Sequence, residues 1–217
     1  GIFSAFTLLY MAWRLPKVPS RGGFSPKKLP ALLKQQGIIG LYIFTLLISS
    51  SYYVAYSYIE PFLKQVSRMA DSWVTTALMV YGGAGFLGSI AFSKYYNRNR
   101  KLFITLIVAA MTLCLLLLYP VTSGGIIPMV IVLCVWGAAA TAYNVAMQSN
   151  IILITTPEST SVAMSIFSGI FNLGIGSGAF VGGAICSQFS IAYIGYAGAI
   201  FGFIGLIYWM LRLGSRV

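Results

Sequence analysis

The sequence predicts an all-α integral membrane fold of six spanning helices, and three observations carry that prediction. The first is composition. Of 217 residues, 59% are hydrophobic and 8% are charged, with a mean hydropathy of +0.87. A soluble domain averages about 25% charged residues, so this chain cannot cover a water-exposed surface and a single soluble domain is excluded. The second is six apolar runs, at 37–60, 72–93, 102–120, 126–154, 161–185 and 191–211. One helical span takes roughly 20 apolar residues, whereas a barrel strand takes roughly 10 with period-two alternation. The runs match the former. The third is that the basic residues are sorted between alternate connections, as in a chain threaded through a bilayer.

Each element follows in order. Gly1–Trp13 is apolar but only 13 residues long. As a helix it reaches about 20 Å against a hydrocarbon core of about 30 Å. It lacks the basic leading region and cleavage site of a signal peptide. Residues 1–13 therefore read as the end of a truncated span. Residues 14–36 carry four prolines, Gly22, Gly23 and six basic residues (Arg14, Lys17, Arg21, Lys27, Lys28 and Lys34). They form a basic loop, with a short amphipathic helix near Leu29–Gln36. Residues 37–211 hold the six spans and 212–217 a tail. Pro61 bends the end of the first span. Asp71 caps the second. Thr156-Pro157-Glu158 supplies an N-cap, a proline at the first helical position and an acid in the first turn of the fifth. Trp13, Trp73 and Trp209 sit near run ends, where an interfacial aromatic belt belongs.

The net charge of +11 comes from 14 basic and 3 acidic residues. In a soluble chain it would suggest nucleic acid. Here 12 of the 14 basic residues fall on one side: the first loop, the loop with Lys94, Arg98, Arg100 and Lys101, and the tail with Arg212 and Arg216. Only Lys64 and Arg68 fall on the other. The excess is thus a topology signal. It places the central loop and C-terminus in the cytoplasm and makes the lipid bilayer, not nucleic acid, the expected partner. No histidine is present, and Cys114, Cys134 and Cys186 lie in apolar runs without metal-ligand spacing. No paired acids, nucleophile–base pair, phosphate loop or metal set is visible. The sequence calls for no cofactor, no metal and no enzyme.

The six spans read as two sets of three. The first of each set is polar, with Ser49, Ser50, Ser51, Tyr52, Tyr53, Tyr56 and Tyr58 in one and Thr141, Tyr143, Asn144, Gln148, Ser149 and Asn150 in the other. The second is rich in small residues and the third is nearly pure hydrocarbon. Polar side chains in a membrane face protein or a water-filled cavity, and small residues permit close backbone approach. The first spans should therefore line a pathway, the second pack closely and the third form the outer wall. Ser49, Tyr52, Tyr56 and Glu60 share one helix face, as do Thr141, Asn144 and Gln148, and Ser165, Ser168 and Asn172. Gly174, Gly178 and Gly182 form a double GxxxG ridge, read as helix packing. Tyr52, Tyr56, Asn144, Gln148 and Asn172 are the candidate substrate contacts; the alternative for each is an interhelical bond that only holds the bundle together. Glu60 is the candidate gating or proton-linked group, the alternative being a surface ion pair with Lys64.

Three stretches resemble a known family. Tyr56-Ser-Tyr-Ile-Glu-Pro-Phe62, Gly82-Gly-Ala-Gly-Phe-Leu-Gly-Ser89 and, most specifically, Val162-Ala-Met-Ser-Ile-Phe-Ser-Gly-Ile-Phe-Asn-Leu-Gly-Ile-Gly-Ser-Gly178 are similar to bacterial sugar efflux transporters. These belong to the twelve-span drug:proton antiporter group of the major facilitator superfamily. The resemblance implies a C-terminal half, spans seven to twelve, partnered by an N-terminal six-span half of the same protein. It implies proton-coupled export of sugars or sugar-like solutes by alternating access, across a cell inner membrane. Drug or nucleoside efflux, or a non-transporting membrane scaffold, remain open. One departure stands out: Phe92 falls where the family's loop between paired spans typically carries an acid.

Overall fold

The computed structural model describes residues 2–14, 29–33, 35 and 37–213. Most of the expected basic loop, and the tail beyond Leu213, lie outside the described residues. Among the described residues ten α-helices run in chain order. They are α1 (Ile2–Arg14), α2 (Leu29–Leu33), α3 (Ile38–Tyr56), α4 (Ile59–Gln65), α5 (Asp71–Gly83), α6 (Gly85–Tyr95), α7 (Arg100–Leu117), α8 (Ile126–Ile154), α9 (Thr160–Gln188) and α10 (Ile194–Tyr208). Among the described residues there is no strand.

Among the described residues six stretches are long and apolar enough to cross a membrane: Ile38–Gln65, Asp71–Tyr95, Arg100–Leu117, Ile126–Ile154, Thr160–Gln188 and Ile191–Leu213. The chain is a multi-pass membrane protein. The first span breaks between α3 and α4 for a local reason. A proline ring clashes with the carbonyl four residues earlier and offers no N–H. Four residues before Pro61 is Ser57, where α3 ends. Before α8, Gly125 holds φ at 82°, a left-handed conformation that glycine adopts without steric penalty.

Two helix starts differ from the sequence expectation. The fifth span begins at Thr160, not at Pro157. The Ser159 and Thr160 amides both donate to the Thr156 carbonyl, at 2.9 and 3.0 Å. This closes a turn, so Pro157 and Glu158 precede the helix instead of filling its first turn. Asp71 is the first residue of α5 and does not cap it. Its carboxylate instead reaches Lys64 Nζ at 3.2 Å.

The packing obeys an exchange between the two triplets. The first span, through α3, packs on α9 and α10, which are the second and third spans of the other triplet. The fourth span, α8, packs on α5, α6 and α7 in the same way, and α7 meets α10. Glycines set these approaches. A Cβ on Gly178 would lie 2.6 Å from the Ser50 carbonyl oxygen and 3.0 Å from the Val54 nitrogen. Gly174 meets Ser49, and Gly182 meets Tyr58 and the Val54 carbonyl. On the other triplet, Gly88 faces the Ala138 backbone and Gly85 faces Thr141. All three ridge glycines of α9 are buried.

Side-chain bonds tie the same pairs. Ser50 Oγ and Ser177 Oγ are 2.8 Å apart, and Ser51 Oγ donates to the Gly198 carbonyl at 2.7 Å. Trp209 Nε1 donates to Thr105 Oγ1 at 3.0 Å while its ring stacks on Phe44, with centroids 5.0 Å apart. The outward faces are apolar on α7 (Leu102, Leu106, Leu113) and α10 (Ile200, Phe203, Ile204, Ile207). On α9, exposed Leu173 and Phe180 accompany exposed Ser165, Ser168 and Asn172.

Candidate functional site

Near the middle of α3 and α8 a cavity of about 330 Å³ opens between α3, α5, α7, α8 and α9. α3 supplies Ser49, Tyr52 and Tyr53; α8 supplies Thr141, Tyr143 and Asn144; Tyr81, Met111 and Phe171 close the remaining walls. Every lining residue is uncharged. The cavity thus offers hydroxyls, one amide and aromatic rings. Such a surface can hydrogen-bond a neutral polar solute and stack on its flat face, without the desolvation of an ion that a charged wall would impose.

The local sequence explains who points where. Three consecutive serines on α3 are 100° apart around the helix, so they cannot share a task. Ser50 and Ser51 bind α9 and α10. Ser49 faces the cavity and returns its own proton to the Thr45 carbonyl at 2.6 Å. One turn on from Ser49, Tyr52 carries the aromatic wall. Its hydroxyl shares a hydrogen bond with that of Tyr81 on α5. Its ring lies 4.9 Å from Tyr56 and 5.3 Å from Trp136. Tyr81 is in turn 5.4 Å from Tyr56 and 5.5 Å from Trp136. Three spans therefore contribute to one aromatic cluster that closes an end of the cavity.

One polar group of this cluster has no hydrogen-bond partner among the described residues. It is the indole N–H of the buried Trp136; the Tyr143 hydroxyl, also buried, has the Thr45 hydroxyl beside it. An unsatisfied buried polar group costs about 1–3 kcal/mol, so this N–H is a local cost of packing the indole in the core. Tyr143 itself lines the cavity.

Of the five candidate contacts, the cavity brings together Tyr52 and Asn144. Gln148 sits one turn behind and donates to Asn144 Oδ1, which fixes the orientation of the Asn144 amide. Tyr56 stacks on Tyr52 and is partly exposed, without lining the cavity. Asn172 is exposed on α9, with Nδ2 donating to the Ser168 carbonyl at 2.8 Å. Glu60 lies away from the cavity, at the far end of the first span. It pairs with Lys64 at 3.0 Å, and its side chain is 58% exposed. Asn150, also on the polar run, is not in the site; its Oδ1 accepts from the Tyr96 hydroxyl at 3.0 Å. Sequence reasoning placed Tyr53 and Tyr143 on pathway-lining spans without choosing them as contacts, and did not single out Tyr81, Trp136 or Phe171. One signal was available. Trp136 stands in mid-span, against the interfacial placement that tryptophan prefers.

No protein-family model matches the chain. Over 213 residues the chain is 39% identical to a protein named probable sugar efflux transporter from Mannheimia succiniciproducens, a match that covers 97% of this chain and 53% of that protein. The chain spans about half the length of this relative.

Proposed function

We propose that this chain is the C-terminal six-span half of a major facilitator superfamily transporter that exports small neutral polar solutes, sugars foremost. Export runs by alternating access, driven by proton antiport, across the inner membrane. The observation that carries this reading is the uncharged cavity at mid-span, walled by Tyr52, Tyr81, Tyr143 and Asn144. Secondary transporters bind substrate near the bilayer midplane, at the interface of structural repeats. A first span of each triplet flanks this cavity. Sugar hydroxyls suit the Asn144 amide and the tyrosine hydroxyls, and a sugar face suits the stacked rings. The similarity to a protein named as a sugar efflux transporter supports the same solute class. The reading is of a carrier and not an enzyme. The N-terminal six-span half is its partner.

The basic loops face the cytoplasm on this reading. Asn144→Ala combined with Gln148→Ala in the full-length protein should impair efflux of a radiolabelled sugar several-fold with expression unchanged. Unchanged efflux kinetics in that variant would remove the cavity from the transport path. Comparing efflux with and without a proton gradient tests the coupling separately.

A further inference from the structure

A second concavity lies on the outer flank of the bundle, far from the aromatic cluster. It is a groove of about 740 Å³ lined by Leu102, Phe103, Leu106, Ile107 and Ala110 of α7, with Tyr95, Arg98 and Asn99 at one end. Its two ends differ in kind. From Leu102 to Ala110 the groove is wholly apolar and runs about 12 Å along the helix axis, most of the roughly 15 Å of one leaflet's hydrocarbon. Leu102 and Leu106 are more than half exposed there. The other end is the connection Lys94–Lys101, which has four basic residues and no acid.

The four basic side chains are not equivalent. Lys94 lies over the Tyr95 ring at 5.3 Å and Arg100 over the Tyr96 ring at 5.6 Å. Arg98 and Lys101 are exposed, and neither joins an ion pair between described residues. The Asn99 side chain accepts from the Leu102 amide at 2.9 Å, which fixes the start of α7 where Arg98 meets the groove. The amides of the first turn of α7 and the helix dipole add a positive potential at the same place.

We propose that this groove binds one anionic phospholipid. An acyl chain lies along Leu102, Leu106, Ile107 and Ala110, and the phosphate is held by Arg98 with Lys101 alongside. Charge complementarity selects the occupant. A neutral apolar partner would gain nothing from Arg98, and a soluble phosphate would gain nothing from the 12 Å apolar slot that follows from the rise of α7. Only a molecule with both parts, in the leaflet that meets this loop, uses the whole groove.

The test is a lipid titration of the purified chain in dodecyl maltoside, with the thermal unfolding midpoint as readout. The midpoint should rise saturably with palmitoyl-oleoyl phosphatidylglycerol, as mass action requires of a ligand that binds only the folded state. Phosphatidylcholine with the same chains, and glycerol 1-phosphate without chains, should not reproduce the rise at equal concentration. Each basic residue near a membrane surface contributes about 1 kcal/mol, or about fivefold in affinity. Arg98→Gln with Lys101→Gln should therefore weaken phosphatidylglycerol binding roughly 30-fold. Arg68→Gln removes a charge at the opposite end of the bundle and should leave binding intact. Ala110→Trp fills the slot without touching any charge and should weaken binding as well. The proposal fails if phosphatidylcholine stabilises equally, if glycerol phosphate alone does so, or if Arg68→Gln weakens binding as much as the Arg98 and Lys101 pair. It also fails if Ala110→Trp binds like the parent. Because the lipid comparison uses the parent chain, it decides even where a variant folds poorly.

Discussion

Gly178→Ala and Gly176→Ala are the same chemical change two residues apart on α9, and the structure gives them opposite signs. A methyl at Gly178 would sit 2.6 Å from the Ser50 carbonyl oxygen, 2.9 Å from Tyr53 Cβ and 3.0 Å from the Val54 nitrogen. Two of these are backbone atoms of α3, which no rotamer change can move. The helices must separate instead. Overpacking of this kind costs about 1–3 kcal/mol, and contact with backbone argues for the upper end. The separation also stretches the 2.8 Å Ser50–Ser177 bond, worth about 0.6 kcal/mol in a membrane. Against this, alanine is favoured over glycine in a helix by up to about 1 kcal/mol. The net expectation for Gly178→Ala is a loss of about 2 kcal/mol. At Gly176 a Cβ meets nothing within 4 Å, so only the helix term remains, a gain of up to about 1 kcal/mol. Unfolding both variants in mixed micelles, followed by circular dichroism, should show a gap of about 3 kcal/mol between them. Equal midpoints, or a Gly178→Ala protein as stable as the parent, would refute the close approach of α9 to α3.

On the proposed reading, two further predictions concern the polar residues of the full-length protein. Tyr52→Phe keeps the rings stacked but removes the hydroxyl shared with Tyr81; unfolding should detect a loss of about 0.6 kcal/mol and no more than about 1.7, and the KM for an exported sugar should rise. Glu60→Gln breaks an exposed ion pair while Lys64 keeps its contact with Asp71, so the unfolding midpoint should stay within error and gradient-driven efflux should persist; loss of gradient dependence would assign Glu60 to the proton path.

What could be read in the sequence was what is local. The six spans were legible because each is an apolar run longer than a bilayer requires, and the break at Ser57 followed from Pro61. The glycine spacing 174, 178, 182 marked the close-packing face of α9 because small residues repeat there every four positions. The site was legible only in part. Tyr52 and Asn144 lie on polar faces that the helical period reveals, but the partners that complete the cavity come from other spans. Nothing within residues 71–95 says that Tyr81 will meet Tyr52, since that pairing depends on how α5 packs on α8. The serines show the same limit: adjacent in sequence, Ser49 and Ser50 meet α9 and Ser51 meets α10, and only packing assigns them. The start of α9 was misplaced because Thr156 and Ser159 both have capping chemistry. The turn closed by Thr156 settles the matter in favour of the later one.

The exchange between triplets has a mechanical consequence. α3 and α8 carry the opposed walls of the cavity, and each is clamped by the other triplet's glycines: α3 by Gly174, Gly178 and Gly182, α8 by Gly85 and Gly88. These contacts reach backbone, and packed interiors yield by discrete rearrangement more readily than by gradual sliding. Neither wall can shift along its neighbours without disrupting the glycine contacts of the opposite triplet. On the proposed reading, access to the cavity must then change by moving the six helices largely as one body, or by bending at weak points outside the ridges. The break on a cavity wall at Ser57–Tyr58, above Tyr52 and Tyr56, is not outside the ridge, since Gly182 meets Tyr58 there. Pro61 offers no N–H to the Ser57 carbonyl, yet the Ser57 amide still donates to the Tyr53 carbonyl at 3.3 Å and the Phe62 amide to the Tyr58 carbonyl at 3.0 Å, and Tyr58 is anchored to α9 through the Ala179 carbonyl at 3.0 Å. With Tyr58 tied to α9 and Tyr56 on the clamped α3, the break cannot move the aromatic cluster by itself, and movement of the six helices largely as one body is the route the packing favours.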